Sequence, residues 1–394
     1  MGKMSRSRIS WLLSNKETWL TGDFMASYLL GDLNDYIAPA QACIIPEQGG
    51  APTVNLTDCL ACSGCVTTAE TVLVMSQTHL VVREALKGNK PVVASVSPAS
   101  RAAISGHFGI SLADSHVKVW SFLKRCGVSM VLDTFVSMGA ALTATDAEFS
   151  KRLSEGGPFP MFVSECPGWV CFVEKRHPEL IEKLSPVASP QQITGSLVKQ
   201  VLFEGQDVFH FAVMPCYDKK LEASREGSSV DNVISTTELL EWMIAEEGVY
   251  EQDFADPFPT LTGEKVTGVV GAAGGYLQQI LRRFGDVEIR KVKSVDYTEY
   301  YCGDIVLAEV YGFKNIQTML QRMKRSGRVY HFIEVMACPG ACLYGGGQPK
   351  VQGAVESVVE NGIDPWGLQE RLAPYLYTTF QEVSKAVSLP RLEW

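Results

Sequence analysis

Short apolar runs alternate with longer amphipathic segments along the chain from residue 90 onward. Pro91–Ser97 and Val208–Met214 are nearly continuous apolar runs, a pattern typical of strands that are buried on both faces. Segments between such runs, for example Ser115–Cys126, carry apolar residues at helical spacing. Strands that alternate with helices predict an α/β fold with mainly parallel sheets and flanking helices.

The other predicted elements continue this alternation. Further strands are predicted over Val128–Leu132, Phe159–Ser164, Val266–Gly271 and Arg328–Val335. Further helices are predicted between Pro98 and Gly109 and over Gln191–Phe203, Thr236–Glu247 and Phe313–Arg325.

The region before residue 90 has a different pattern. We predict a flexible leader over residues 1–30 and a small N-terminal domain over residues 31–88, which holds four cysteines and an amphipathic stretch from Thr67 to Leu80. Its apolar content is too low for an independent core, so we expect a metal centre to stabilise it. Met1–Lys16 is basic and weakly resembles an organellar transit peptide, with a plain disordered extension as the alternative.

Length and composition limit the class of protein. At about 150 residues per domain, 394 residues suggest two to three domains. An excess of Asp and Glu (44) over Lys and Arg (35) disfavours a nucleic-acid-binding protein, and the absence of a long apolar stretch predicts no membrane-spanning helix. The predicted domains after the N-terminal one are a first α/β lobe at 89–225, a second lobe at 226–380 and a C-terminal tail at 381–394.

Eleven cysteines are the unusual feature of the composition. An odd number in a long chain does not suit the disulfide framework of small secreted proteins, so a reducing compartment is expected. They are Cys43, Cys59, Cys62, Cys65, Cys126, Cys166, Cys171, Cys216, Cys302, Cys338 and Cys342.

Cys59, Cys62 and Cys65 form a C-x2-C-x2-C triplet. Two-residue gaps let three thiolates from one loop bind neighbouring corners of an iron–sulfur cubane. A fourth thiolate must come from elsewhere, and Cys43 is the remaining cysteine of the predicted N-terminal domain. A structural zinc site is the alternative, although zinc sites more often use two separate cysteine pairs.

Cys166, Cys216 and Cys338 each follow a predicted strand. Because the carboxyl ends of parallel strands lie along one edge of a sheet, we expect these thiols to converge there. Cys342 follows Cys338 at i+4, which would place both on one helical face and complete a second four-thiolate site. Gly340 and the run 345–347 are expected to let the backbone approach a cofactor closely. Buried core cysteines are the alternative.

Cys126, Cys171 and Cys302 are left outside the two sites. We interpret Cys126 as a core residue at the end of a helix and Cys302 as structural. Cys171, five residues after Cys166, is a candidate for lining the second site.

Three segments resemble the active-site motifs of iron-only hydrogenases. Two further segments, around Cys43 and Cys59, narrow the resemblance to the eukaryotic hydrogenase-like Nar/Narf family of cytosolic iron–sulfur protein assembly. The hydrogenase-like segments are SECPGW from Ser164, MPCYDKKLE from Met214, and EVMACPGAC from Glu334 followed by GGGQP from Gly345. The two further segments are DLNDYI from Asp32 and DCLACSGC from Asp58.

The resemblance implies a hydrogenase-like fold of two α/β lobes with a small N-terminal ferredoxin-like cluster domain. It implies a non-catalytic adaptor that holds two [4Fe-4S] clusters. Such an adaptor would stand between an upstream scaffold and a targeting complex, with a WD40 propeller subunit, that serves apo iron–sulfur clients. It would work in the cytoplasm, with the nucleus as a second location and without nucleic acid or membrane as partners. The implied ligands are Cys43, Cys59, Cys62 and Cys65 for one cluster and Cys166, Cys216, Cys338 and Cys342 for the other.

An iron-only hydrogenase or related redox enzyme is the alternative function. Hydrogenases carry a proton-transferring cysteine where this chain has Glu165, so hydrogen turnover is not expected. Lys219 and Glu222 match hydrogenase positions, and we interpret Lys219 as a cation beside the cluster, with a solvated surface pair as the alternative. The chain ends in Leu392, Glu393 and Trp394, which resemble the tail that docks proteins on the targeting complex.

Overall fold

The computed structural model describes residues 68–246, 266–267, 274–292, 295–350, 361–362 and 371–381. Two sheets organise this part of the chain. The first sheet contains four strands, all parallel, in the order β2-β1-β4-β5. The second sheet contains five strands, some of them antiparallel, in the order β3-β10-β9-β8-β7. The strands of the two sheets are β1 Val92–Val96, β2 Met130–Asp133, β3 Met161–Val163, β4 Phe209–Met214, β5 Asn232–Ser235, β7 Glu288–Lys291, β8 Tyr297–Cys302, β9 Ile305–Tyr311 and β10 Phe332–Met336.

A separate pair, β6 (Val266–Thr267) and β11 (Asn361–Gly362), is antiparallel. The α-helices are α1 Thr68–Ser76, α2 His79–Ala85, α3 Pro98–Phe108, α4 Leu112–Arg125, α5 Phe135–Glu155, α6 Pro167–Arg176, α7 Pro190–Ser196, α8 Asp218–Ala223, α9 Thr236–Ala245, α10 Tyr276–Leu281 and α11 Phe313–Ser326. Short 3-10 segments cover Pro178–Lys183, Ala341–Tyr344 and Ala373–Tyr375.

Helices cover both faces of each sheet. The apolar side chains of β1 and β4 alternate between a shared core cluster, which includes Trp120 of α4 and Trp242 of α9, and two smaller clusters, one for each strand. In the second sheet, Phe332 faces a cluster with α5, α7 and α10, whereas Ile333 faces a cluster with α6 and α11. Burial of strands on both faces explains why the sequence shows them as continuous apolar runs.

Most of the predicted elements are present, and the α/β class is confirmed. Of the strand predicted over Val266–Gly271, only Val266 and Thr267 are described, in the antiparallel pair with β11. Three further elements differ from their predictions. The stretch from Thr67 to Leu80 forms parts of two helices, α1 and α2, separated at Gln77 and Thr78. The strand predicted over Arg328–Val335 begins at Phe332, and the helix predicted over Gln191–Phe203 changes to a π-helical turn after Ser196.

The second sheet also contains an antiparallel part that the sequence analysis missed. β3, β10 and β9 are parallel, but β8 pairs antiparallel with both β9 and β7. Each sheet draws strands from both sides of the predicted limit at residue 225/226, since β3 joins the second sheet and β5 the first. The domain limits themselves stay predictions.

Within the described ranges, none of the helices combines the length and the apolar character needed to cross a bilayer.

Candidate metal centre

Three cysteines lie just beyond the carboxyl ends of strands. Cys166 follows β3, Cys216 follows β4 and Cys338 follows β10. The expectation of one common sheet edge is wrong in one respect. β3 and β10 are neighbours in the second sheet, whereas β4 belongs to the first, so the pocket combines both sheets.

Packing and electrostatic coupling link the four thiols: Gly345 and Gly347, shortly after Cys342, pack against Pro215 and Cys216, and the Cys342 thiol donates to Glu165, the residue before Cys166. A charge on Cys338 raises the pKa of Cys166. Charges on Cys166 and Cys338 raise the pKa of Cys216, and charges on Cys166 and Cys216 raise that of Cys342. Coulombic interactions weaken with distance, so the four thiols predicted as the second ligand set lie near one another.

Burial is the main influence on the pKa values of these four thiols. It raises the pKa of Cys166 to about 12 and that of Cys338 to about 11. It also raises the pKa values of Cys216 and Cys342 well above that of an ordinary thiol. Without a metal, the four groups are therefore neutral thiols at pH 7, and iron would have to displace their protons.

The prediction that Cys338 and Cys342 lie on one helical face is also wrong. The two cysteines do not share the face of one continuous helix, because Gly340 (φ 66°) and Ala341 (φ 58°) both adopt the left-handed conformation. A 3-10 segment then starts at Ala341. A positive φ is strained for alanine, and here it turns the chain between the two thiols.

Ser164 positions Cys166. Its hydroxyl accepts a hydrogen bond from the Cys166 amide at 3.0 Å and donates one to the Val335 carbonyl at 2.5 Å, which joins β3 to β10 beside the pocket. Cys166 also precedes helix α6, whose first residue is Pro167. Sequence reasoning gave Ser164 no role, although its place two residues before a ligand candidate was a usable signal.

Backbone amides near two of the sulfurs oppose the effect of burial. The amides of Ala337 and Trp169 lower the pKa of Cys166, and the amide of Gly346 lowers that of Cys338. Such N–H donors stabilise the negative charge of cluster-bound thiolates.

A buried ion pair lies beside the pocket. Lys219 is 4% exposed, and its Nζ is 2.9 Å from Oε2 of Glu222. Burial lowers the pKa of Lys219, but Glu222 and Glu165 outweigh this effect and hold the pKa above its ordinary value, so the lysine is charged. The interpretation as a solvated surface pair is therefore wrong.

Glu165 contacts the pocket directly. The Cys342 thiol donates to its Oε1 at 3.6 Å, and burial raises the pKa of this carboxyl group. Lys219 opposes that rise. A carboxyl group thus occupies the position next to Cys166 that a second cysteine has in the hydrogenase motif.

The glycines near Cys342 serve protein packing. A Cβ atom at Gly345 would collide with the carbonyl oxygen of Pro215, and one at Gly347 would lie 3.2 Å from the Cys216 Cα. The Gly347 amide donates to that same Pro215 carbonyl at 2.9 Å. The expected close approach of backbone is thus seen against the loop that carries Cys216.

The donor set fits an iron–sulfur cluster. Four thiols from three chain segments, backbone amides that favour the charged form of two of them and the cation of Lys219 match the needs of thiolate ligands. Among the residues that the structure describes, no group of three or more His, Cys, Asp or Glu side chains has single-ion geometry. The thiolates of a cubane bind four different irons and lie farther apart than the ligands of one ion, whose metal–sulfur bonds are about 2.3 Å.

The remaining predicted site residues lie outside the described residues. These are Cys43, Cys59, Cys62, Cys65, Leu392, Glu393 and Trp394.

The three other cysteines are placed elsewhere. Cys126 ends helix α4 against the core of the first sheet, as expected. Cys302 is buried in the core of the second sheet. Cys171 is buried on α6, where its sulfur accepts from Nη2 of Arg225 at 3.5 Å.

The fold corresponds to a known class. The family described as the iron only hydrogenase large subunit, C-terminal domain, matches residues 90–346. Among solved structures, the chain is similar to the [FeFe]-hydrogenase HydA1 from Chlamydomonas reinhardtii, with a TM-score of 0.64 and 22% identity. That match covers 77% of this chain and 99% of the hydrogenase chain. The class is thus a hydrogenase-like α/β protein.

Relatives of similar sequence show the family within this class. "Cytosolic iron-sulfur assembly component 3" of Rattus norvegicus is 36% identical, with 84% of this chain and 86% of the relative covered. "Cytosolic Fe-S cluster assembly factor narfl" of Xenopus tropicalis is 37% identical, with 85% and 86% covered. "Protein NAR1" of Arabidopsis thaliana is 35% identical, with 83% and 84% covered. The chain belongs to this hydrogenase-like Nar/Narf family, as the sequence motifs predict.

Proposed function

We propose that this protein is a cytosolic iron–sulfur cluster assembly factor that binds two [4Fe-4S] clusters and acts as a non-catalytic adaptor. The observation that carries the proposal is the shared pocket of Cys166, Cys216, Cys338 and Cys342. The names of the relatives support the assembly role. The adaptor would stand between an early scaffold and a targeting complex with a WD40 propeller subunit, which inserts clusters into apo clients.

The residues of the second pocket would hold one of the two clusters. Four thiolates would bind its irons, while the amides of Ala337, Trp169 and Gly346 and the ammonium of Lys219 would stabilise the added negative charge. When bound, the cluster supplies a one-electron centre. The first cluster would be held by the cysteine triplet with Cys43.

Iron content tests the proposal. The full chain purified without oxygen is expected to hold about eight iron atoms, as two cubanes. Cys342→Ala should lose about half of that iron and the paramagnetic resonance signal of one cluster. Cys126→Ala, which removes a cysteine at the end of α4, is the matched control and should keep all of it. Iron near zero in the unmodified chain, or stoichiometric zinc, would overturn the proposal.

A hydrogenase is the second candidate, favoured by the fold and by Lys219 beside the pocket. It predicts carbonyl and cyanide bands in the infrared spectrum together with hydrogen evolution. The assembly factor predicts neither, because Glu165 replaces the proton-transferring cysteine of the motif.

A further inference from the structure

Helix α1 contacts the helix that follows Cys216. Its Val74 is 1% exposed and packs with Leu221 of α8 and with Tyr217, the residue next to Cys216. Helix α8 has only six residues, which is too short to be stable without tertiary contacts. Its position therefore depends on what packs against it.

Gln77 fixes α8 by hydrogen bonds. Its Nε2 donates to the Lys220 carbonyl at 2.8 Å and to Oγ of Ser224 at 2.8 Å, and its Oε1 accepts from the Val233 amide at 3.0 Å. Its own carbonyl accepts from Nζ of Lys220 at 2.6 Å. One buried side chain thus connects the end of α1 to both α8 and β5.

A second contact joins α1 to the helix that follows Cys166. Nζ of Lys175 on α6 lies 2.6 Å and 2.8 Å from the two carboxylate oxygens of Glu70. The side chains are 14% and 21% exposed, so solvent screens this pair less than a surface pair.

A third contact links α6 to Arg225, two residues beyond the end of α8. Arg225 donates to both carboxylate oxygens of Glu174, at 2.9 Å and 2.7 Å. Helices α1, α6 and α8 therefore form a closed triangle of polar contacts. Two of its members, α6 and α8, follow Cys166 and Cys216.

We propose that Gln77 and the Glu70–Lys175 pair are positioning residues for the second cluster site. They hold α6 and α8, and with them Cys166 and Cys216, at the separation that the cluster needs. The inference rests on the proposed function, since it requires that the second pocket hold a cluster. Groups that orient metal ligands from outside the first layer typically change metal affinity by about 10- to 100-fold when mutated.

The test uses a full chain in which Cys59, Cys62 and Cys65 are changed to Ala, so that iron reports on the second site. Gln77→Ala in this background should release iron to a ferrous chelator about tenfold faster, with an altered paramagnetic resonance spectrum. Glu70→Lys should have the same effect. The paired change Glu70→Lys with Lys175→Glu should restore slow release, because it rebuilds the ion pair in reverse.

Cysteine alkylation is a second measurement, which reports on the pocket without iron. Alkylation of Cys216 in the iron-free chain should be faster in Gln77→Ala than in the background chain. Lys87→Ala, which removes an exposed ion pair with Glu84, is the control and should change neither rate.

The failures are distinguishable. If the background chain holds no iron, the proposed function fails. If it holds a cluster that Gln77→Ala and Glu70→Lys release at the unchanged rate, the positioning inference fails and the proposed function stands. Slow release that is not restored by the reversed pair also contradicts the inference.

Discussion

Lys219 and Glu222 form a buried ion pair whose loss is expected to be costly. Their side chains are 4% and 14% exposed. Removing one partner of a buried pair leaves a desolvated charge, which typically costs about 3–5 kcal/mol. Because Glu165 also faces Lys219, we expect Glu222→Ala to lower the free energy of unfolding by about 3 kcal/mol.

Urea denaturation of the iron-free chain measures this loss. Removal of both charges, in Lys219→Met with Glu222→Leu, should recover most of it. The exposed pair Lys87–Glu84 offers the contrast, and Lys87→Ala should change stability by less than about 0.5 kcal/mol. An equally small change for Glu222→Ala would show that Lys219 does not depend on this partner.

His210 gives the stability a pH dependence. It is fully buried with Nε2 2.9 Å from Oγ of Ser95, and burial lowers its pKa to about 4 against the opposing effect of Asp231. Between pH 7 and 5 the unfolded chain takes up a proton at this histidine and the native chain does not. Acidification therefore disfavours folding by about 2 kcal/mol at this residue.

The measurement compares the unmodified chain with His210→Asn at both pH values. The unmodified chain should lose about 2 kcal/mol more than the variant on going from pH 7 to pH 5. The variant is needed for comparison because buried acids change the stability in the opposite direction on acidification. Glu334 is an example, since burial raises its pKa to about 8. Parallel losses in both chains would contradict a neutral His210 in the native state.

At the scale of elements, the sequence predicted the strands that consist of continuous apolar runs. β1 and β4 are buried along nearly their whole length and were evident as such. The hairpin of β8 and β9 was missed because Tyr, Thr and Glu occupy much of β8 and make polar contacts inside the sheet. Glu299, for example, is 2% exposed and accepts from the hydroxyl groups of Tyr301 and Tyr330.

In the candidate site, too, some features could be predicted from the sequence and others could not. Its cysteines were visible in the sequence because thiols have distinctive chemistry and follow strands. The left-handed turn at Gly340 and Ala341 was not, since alanine gives no local signal for a positive φ. Gln77 was equally hidden, because its partners lie more than 140 residues away along the chain.

Helix α9 begins with a reciprocal cap formed by Ser235 and Glu238. Oγ of Ser235 accepts from the Glu238 amide at 3.2 Å, and Oε2 of Glu238 accepts from the Ser235 amide at 2.6 Å. Loss of such a cap costs about 1 kcal/mol, so Ser235→Ala should lower the unfolding free energy by that amount. Ser154→Ala, at an exposed hydroxyl near the end of α5, should stay within about 0.5 kcal/mol in the same denaturation experiment. Equal stability of the two variants would contradict the capping role.

At the scale of the whole molecule, the chain moves between the two sheets before the pocket is complete. It forms β1 and β2, crosses to β3, returns for β4 and β5, and reaches β10 last. Cys166 and Cys338 come from one sheet and Cys216 from the other. The second site therefore depends on both sheets being folded, which explains why its four thiols are spread over 177 positions, from 166 to 342.

The C-terminal segment is the proposed contact with the targeting complex. The amide of Gln381 donates to Oε1 of Glu174 at 3.3 Å, so the chain is attached to α6 where the described part ends. Deletion of Leu392–Trp394 should weaken capture of the purified WD40-containing complex about tenfold or more, because a buried aromatic anchor at an interface typically contributes about 2 kcal/mol. Iron content should not change, and Arg391→Ala, which keeps the last three residues, is the matched control. Affinity measured on immobilised full-length chain decides the matter: equal binding by the deleted and complete chains would remove the tail as the docking element while leaving both cluster sites unaffected.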